Sequence, residues 1–169
     1  VIDSGENLKI IANYGAGFNN VDVDYAHEKN IDVTNTPKAS TAATAELTFG
    51  LVLAIARRIV EGDKLSRTKG FDGWAPLFFR GREVSGKTLG IIGFGEIGSA
   101  VAKRAKGFDM DILYTGPHQK KEKEREIGAK YVDLDTLLEH SDFITINAAY
   151  NPDIHHMIDS EQFKKMKST

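Results

Sequence analysis

The sequence contains no cysteine, and this absence removes several kinds of site at once. Without thiols there is no disulfide framework, no cysteine nucleophile and no thiolate metal site, which fits a reducing compartment such as the cytoplasm. Long apolar runs are also missing, since stretches such as Leu51 to Ala56 fall far short of the roughly 20 residues that cross a bilayer. An excess of positive charge is missing too, because 22 Lys and Arg stand against 24 Asp and Glu. We therefore expect a cytoplasmic chain that binds neither nucleic acid nor membrane.

What is present is the pattern of an α/β protein. From residue 87 onward, apolar runs alternate regularly with amphipathic stretches. Strands are predicted at 8–12, 31–33, 88–92, 111–114, 130–132 and 143–147. Helices are predicted at 22–29, 97–106, 121–127 and 134–139. Strands that alternate with helices form a parallel sheet.

A longer helix is predicted in the first half of the chain. Ser40 or Thr41 can cap it, and we expect it to run to about Thr68. The prediction rests on aliphatic residues at every fourth position: Leu47, Leu51, Ile55 and Ile59. The following segment, 70–85, is irregular but rich in apolar residues.

A glycine-rich turn follows the predicted strand 88–92. It fits the pattern G-x-G-x-x-G with Gly93, Phe94, Gly95, Glu96, Ile97 and Gly98. The first glycine permits the tight turn, the second lets the backbone approach a diphosphate, and the third lets the helix lie close to the strand. Free amides and the dipole of the first helical turn then favour phosphate groups. The strand-turn-helix context favours a dinucleotide site over a plain turn, and the third glycine argues against a methyltransferase.

The end of the second strand lacks the acidic residue that usually holds the adenosine ribose of NAD. An uncharged pocket at Thr115 and Gly116 leaves room for a 2′-phosphate, with His118 and Lys120 close by as donors or cations. We therefore favour NADP(H), with NAD(H) as the other possibility, although such lysines are also common solvated residues. The charge run Gln119 to Glu126 is interpreted as a solvated helix face.

Six segments carry a further signal in their order and spacing: Asn13 to Asp22, Thr44 to Leu47, Ala56 to Arg58, Trp74 to Leu77, Gly86 to Gly95 and Leu113 to Gly116. Together they resemble the D-isomer-specific 2-hydroxyacid dehydrogenases, and among them the glyoxylate/hydroxypyruvate reductase branch. The resemblance implies an enzyme that transfers a hydride between NAD(P)H and a small 2-oxo acid or D-2-hydroxy acid. It also implies three segments: 1–39 as the end of a flavodoxin-like substrate domain, 40–86 as a linking helix and dimerisation loop, and 87–169 as the first part of an incomplete Rossmann-type, doubly wound parallel sheet.

The resemblance further implies roles for individual residues. The amides of Ala16 and Gly17 would hold the substrate carboxylate, although such a turn is otherwise often only a turn. Thr44 would lie near the nicotinamide ribose, the alternative being a helix-surface hydroxyl. The loop with Ala148 and Ala149 would line the cofactor.

Trp74 matches an aromatic residue that reaches the substrate pocket of a partner subunit, which implies a homodimer. The alternative is a tryptophan buried in its own chain.

The family's catalytic Arg, Glu and His come after the position of Thr169, so we assign no catalytic residue and no metal ligand and expect this chain alone to be inactive. Since Val1 is not a methionine, we expect a chain truncated at both ends, with an open sheet edge and poor solubility or partial order on its own. The rival function is a dinucleotide-sensing binding module of the corepressor type. Downstream sequence would separate the two, because an Arg-Gly pair, a Glu and a late His support catalysis.

Overall fold

The computed structural model describes residues 2–68 and 70–168. The outermost residues of the predicted segments 1–39 and 87–169, Val1 and Thr169, lie outside that part. Contacts along the chain divide it into two compact units, Val1–Thr41 and Ala42–Thr169.

The smaller unit contains a parallel pair of strands joined by a helix. Strand β1 (Ile10–Ala12) pairs with β2 (Asp32–Thr34), and α1 (Val23–Glu28) connects them. The side chain of Asp22 caps α1 by accepting a hydrogen bond from the amide of Tyr25. The predicted βαβ step is confirmed, with boundaries shifted by one or two residues.

The larger unit begins with two helices where the sequence predicts one. Helix α2 (Thr41–Ala56) and helix α3 (Ile59–Thr68) are separated at Arg58, whose φ of 54° lies in the left-handed region. The amide of Arg82 donates to the carbonyl of Ala56 at 2.6 Å, and so takes an acceptor that a continuous helix would use itself. The prediction of one uninterrupted helix is therefore wrong.

The aliphatic stripe that predicted α2 lies on its exposed side. Three residues of α2 are each more than half exposed, namely Leu47, Leu51 and Ile55, and so is Ile59, which is the first residue of α3. The helix instead buries Ala45, Phe49, Val52 and Ala56. Because α2 is apolar on both sides, the four-residue spacing identifies the helix but not the face that packs inward.

A four-stranded parallel sheet forms the centre of the larger unit. Its strands are β3 (Thr88–Ile92), β4 (Asp111–Thr115), β5 (Ala129–Tyr131) and β6 (Phe143–Ile146), in the spatial order β5-β4-β3-β6. The connecting helices are α4 (Glu96–Lys106), α5 (Lys121–Ile127) and α6 (Leu134–His140). A short 3-10 turn (Pro152–Ile154) and α7 (Ser160–Lys165) follow β6. The predicted α/β class with a Rossmann-type parallel sheet is confirmed.

Buried side chains cover both faces of this sheet. Leu89 and Ile91 of β3 belong to a cluster that includes buried residues of α2 and α4. Ile92 belongs to a second cluster with Leu137 of α6. Gly90 lies between Leu89 and Ile91, and a Cβ at this position would lie 2.7 Å from a methyl carbon of Leu137. Only glycine therefore fits there without a shift of its neighbours. Residues that alternate along β3 therefore face opposite helix layers.

Over the part of the chain that the structure describes, no helix combines the length and the apolar character needed to cross a membrane.

Candidate functional site

The carboxyl ends of three strands meet at Gly93. Its amide donates to the carbonyl of Thr115 at 2.9 Å, which joins the ends of β3 and β4. On the other side, the amide of Asn147 donates to the carbonyl of Ile92 at 2.7 Å. A Cβ on Gly93 would lie 2.5 Å from the backbone nitrogen of Ala148. The structure thus brings three predicted site residues to the edge of the sheet where open α/β proteins bind ligands.

The three glycines of the turn are needed for three different physical reasons. Gly93 has a φ of 90°, a conformation that side chains disfavour. Gly95 precedes α4 as its N-cap, and a Cβ there would meet nothing within 4 Å, so the outer side of the turn is open. At Gly98 a Cβ would lie 2.1 Å from the carbonyl oxygen of Gly93, so this glycine lets α4 lie directly on the end of β3. The open cradle at Gly95 fits a diphosphate group.

The other residues of the turn differ in where their side chains go. Phe94 is buried, and its ring stacks on Tyr114 with centroids 4.1 Å apart. Ile97 packs against the same core. Glu96, the first residue of α4, is exposed and pairs with Lys123. Phe94 therefore has only backbone groups to offer a ligand on the open side, whereas the side chain of Ile97 is half-buried.

Two tyrosines shape the loop that follows β4. The hydroxyl of Tyr131 donates to the carbonyl of Gly116 at 3.0 Å. The hydroxyl of Tyr114 accepts from the amide of Lys120 at 2.7 Å and donates to Glu124 at 3.0 Å. Sequence reasoning missed both tyrosines, because their role depends on how β5 and α5 are placed rather than on any local pattern.

Glu124 is the acceptor at the centre of this network. The side-chain amide of Gln119, followed by the Tyr114 hydroxyl and the Tyr131 amide, holds the pKa of the Glu124 carboxyl below its ordinary value. The carboxylate therefore stays charged and keeps Gln119 turned back toward α5, with bonds of 3.0 Å to both oxygens.

The charge run of α5 is only partly a solvated face. His118 and Lys120 are exposed, and within residues 2–68 and 70–168 their side chains bond to no other group. Lys123, in contrast, reaches back to the start of α4, where its Nζ lies 3.0 Å from Glu96 Oε1. The interpretation as a solvated face is therefore wrong for Lys123 and Glu124.

The loop with Ala16 and Gly17 lies in the smaller unit and is held through its carbonyls. The side chain of Asn35 donates to the carbonyl of Ala16 at 2.9 Å, and that of Asn13 donates to the carbonyl of Gly17 at 2.8 Å. Among the described residues the amides of Ala16 and Gly17 donate to no acceptor. Both residues are exposed.

The remaining predicted site residues lie on α2 and in two loops. Thr44 is half-buried in α2, and its carbonyl accepts from the hydroxyl of Thr48 at 2.8 Å. Ala149 is exposed in the loop after β6. Trp74 is 86% exposed, so no other part of the described chain buries it.

Comparisons with known proteins identify the family to which the chain belongs. The sequence model described as "D-isomer specific 2-hydroxyacid dehydrogenase, NAD binding domain" matches residues 49–169. The chain belongs to this family. The resemblance to it and the fold inferred from it are confirmed.

Individual members of the family are similar over essentially the whole chain. A protein of Staphylococcus haemolyticus (strain JCSC1435) named "Putative 2-hydroxyacid dehydrogenase" is 90% identical over 100% of this chain and 53% of its own length. The crystal structure of D-lactate dehydrogenase from Aquifex aeolicus complexed with NAD and lactic acid has a TM-score of 0.86 and 33% identity, and the match covers 98% of this chain and 49% of that one. A glyoxylate reductase from Paecilomyes thermophila has a TM-score of 0.82 and 39% identity, covering 94% and 47%. The chain thus spans about half the length of the relatives it matches.

Proposed function

We propose that the full-length protein containing this chain is an oxidoreductase that transfers a hydride between NAD(P)H and a small 2-oxo acid, forming a D-2-hydroxy acid. Glyoxylate and hydroxypyruvate are the proposed substrates. The single observation that carries the proposal is the turn from Gly93 to Gly98, which opens at the carboxyl edge of the parallel sheet with no atom within 4 Å of a Cβ at Gly95. Family membership and the activities named for the solved neighbours support it.

The dinucleotide would lie across the carboxyl edge of the sheet. The amides at Glu96 and Ile97 would then face the diphosphate, and the positive end of the α4 dipole would favour it. Thr44 and the loop with Ala148 and Ala149 would line the nicotinamide half. The bound nicotinamide supplies or accepts the hydride, and these residues bind and orient it.

NADP(H) is the proposed cofactor, because β4 ends at Thr115 and Gly116 without an acidic side chain. His118 and Lys120 follow as exposed groups that can reach a 2′-phosphate. The family description names NAD, so the preference requires a direct test. Titration of the full-length protein with NADPH and NADH, followed by nicotinamide fluorescence, should show tighter binding of NADPH. Several-fold tighter binding of NADH would refute the preference.

The substrate carboxylate is proposed to bind the amides of Ala16 and Gly17. Their carbonyls are already held by Asn35 and Asn13, so the loop is preorganised while its amides stay available. Steady-state kinetics with glyoxylate, hydroxypyruvate and pyruvate test the substrate class, and we expect the highest kcat/KM with one of the first two.

The full-length protein is further proposed to be a homodimer that acts in the cytoplasm. Trp74 and its neighbours Phe71 and Leu77 are mostly exposed, as expected of a loop that a partner subunit would cover. In this proposal residues 1–39, 40–86 and 87–169 keep the roles inferred from the resemblance: substrate domain, linking helix with dimerisation loop, and dinucleotide-binding domain.

A dinucleotide-sensing module without catalysis is the second candidate. The turn from Gly93 to Gly98 would serve such a module equally well, because it offers a diphosphate backbone groups and no acid–base side chain is needed for binding. Oxidation of NADPH in the presence of glyoxylate separates the two functions. Dinucleotide binding without turnover on any of the three 2-oxo acids would favour the sensing module.

A further inference from the structure

Lys123 joins α5 to the glycine-rich turn. Its Nζ lies 3.0 Å from Glu96 Oε1, 3.1 Å from Ser99 Oγ and 3.4 Å from the carbonyl oxygen of Gly95. The hydroxyl of Ser99 donates to the same Gly95 carbonyl at 2.6 Å. The Lys123 side chain is 31% exposed, so its ammonium group is held against the turn.

Glu96 would oppose the binding of an anion at this turn. It is the first residue of α4, and its carboxylate side chain is 61% exposed beside the amides that would receive a diphosphate. The helix dipole favours a carboxylate here when the turn is empty. Once phosphate oxygens arrive within a few ångströms, however, the carboxylate repels them. A cation beside Glu96 removes that repulsion.

We propose that Lys123 is a positioning residue for the dinucleotide, which neutralises Glu96 and holds the carbonyl side of the turn at Gly95 and Ser99 so that its amides remain directed outward. The inference rests on the proposed function, since it presupposes a dinucleotide at this turn. Lys123 acts through Glu96 and the turn and not through contact with the reacting atoms. NADH and NADPH should be affected alike, because both carry the diphosphate.

A set of variants of the full-length protein tests the pairing. Lys123→Met keeps most of the side-chain length but removes the charge, and it should raise the Kd of both NADH and NADPH about tenfold. Glu96→Gln should bind both at least as tightly as the wild type. The double variant Glu96→Gln/Lys123→Met should return to within about threefold of the wild type, because the carboxylate that Lys123 neutralises is then absent as well. Nicotinamide fluorescence in direct titrations gives the Kd values without any assay of turnover.

Lys103 provides a matched control. It pairs with Glu126 at 2.5 Å and joins the same two helices away from the turn. Lys103→Met should therefore leave both Kd values unchanged within about twofold, as expected for an exposed ion pair. Thermal midpoints of all variants show whether each one is folded.

The outcomes separate this inference from the proposed function. If the wild type binds neither dinucleotide, the proposed function itself fails. If the wild type binds but Lys123→Met binds equally well, or if the double variant stays as weak as Lys123→Met, the compensation of Glu96 is refuted. Should Lys123→Met fail to fold, Glu96→Gln decides, because a roughly tenfold loss of affinity in that variant contradicts the inference.

Discussion

Replacing glycines of the turn one at a time should separate stability from ligand binding. At Gly98 a new Cβ would lie 2.1 Å from the carbonyl oxygen of Gly93, more than an ångström inside ordinary van der Waals contact. The obstacle is backbone at the end of a central strand, so it yields only by moving α4. We expect Gly98→Ala to lower the free energy of unfolding by about 3 kcal/mol, at the upper end of the usual range for overpacking.

Gly95→Ala should behave in the opposite way. A Cβ at Gly95 meets no atom within 4 Å, so the fold has room for it. The cost is that of alanine as an N-cap in place of glycine, at most about 1 kcal/mol. The new methyl group lies where the diphosphate must approach, and the Kd for NADPH should rise about tenfold or more.

Gly50→Ala is the control for the exchange itself. Gly50 is an exposed residue inside α2 with nothing within 4 Å of a Cβ, so alanine should raise the free energy of unfolding by up to about 1 kcal/mol. Urea unfolding and NADPH titration of the three full-length variants give both quantities. Wild-type stability for Gly98→Ala, or wild-type affinity for Gly95→Ala, would refute the assignment of roles to these glycines.

Three further predictions concern other parts of the chain. Trp74→Ala should shift sedimentation of the full-length protein toward the monomer, whereas an unchanged species would remove this loop from the interface. Tyr131→Phe releases the carbonyl of Gly116, so we expect a loss of about 1 kcal/mol in stability and a several-fold higher Kd for NADPH, and an unchanged Kd would show that the loop needs no such support. The amide of Thr136, followed by its hydroxyl, holds the pKa of Asp133 below the ordinary value, so the stabilisation is present above about pH 4 and is lost as the pH falls through the lower pKa of the folded state. Asp133→Asn should keep the helix cap, and its thermal midpoint should fall less than that of the wild type as the pH is lowered below about 4. The same fall in both proteins would show that the Asp133 carboxylate does not cause this pH dependence.

The sequence predicted those features that depend on local chemistry. The turn from Gly93 to Gly98 could be located because a side chain would be disfavoured at each of its three glycines, by the backbone conformation, by the approach of a diphosphate or by a close contact. The alternation of strands and helices after residue 87 could be predicted for a similar reason, since the period of apolar residues differs between the two kinds of element.

Features that depend on distant partners could not be predicted. The break at Arg58 has no sequence signal, because arginine does not favour a positive φ and the chain turns there with the help of Arg82, far along the sequence. The buried face of α2 was not predictable either, since aliphatic residues occupy both sides. Lys123 belongs to a run of charged residues that the sequence predicts to be a solvated helix face. Only the packing of α5 against α4 brings Lys123 to the turn.

The close approach of Gly93 to Ala148 has a consequence for how this protein can vary. Two stretches that are far apart in sequence meet there backbone to backbone, so neither can accept a bulkier or reshaped neighbour unless the other changes as well. The effect of a substitution at Gly93 should therefore depend strongly on the residue at Ala148, and the reverse should also hold. Variants that alter cofactor use by changing only one of the two stretches should be functional less often than variants that change both together.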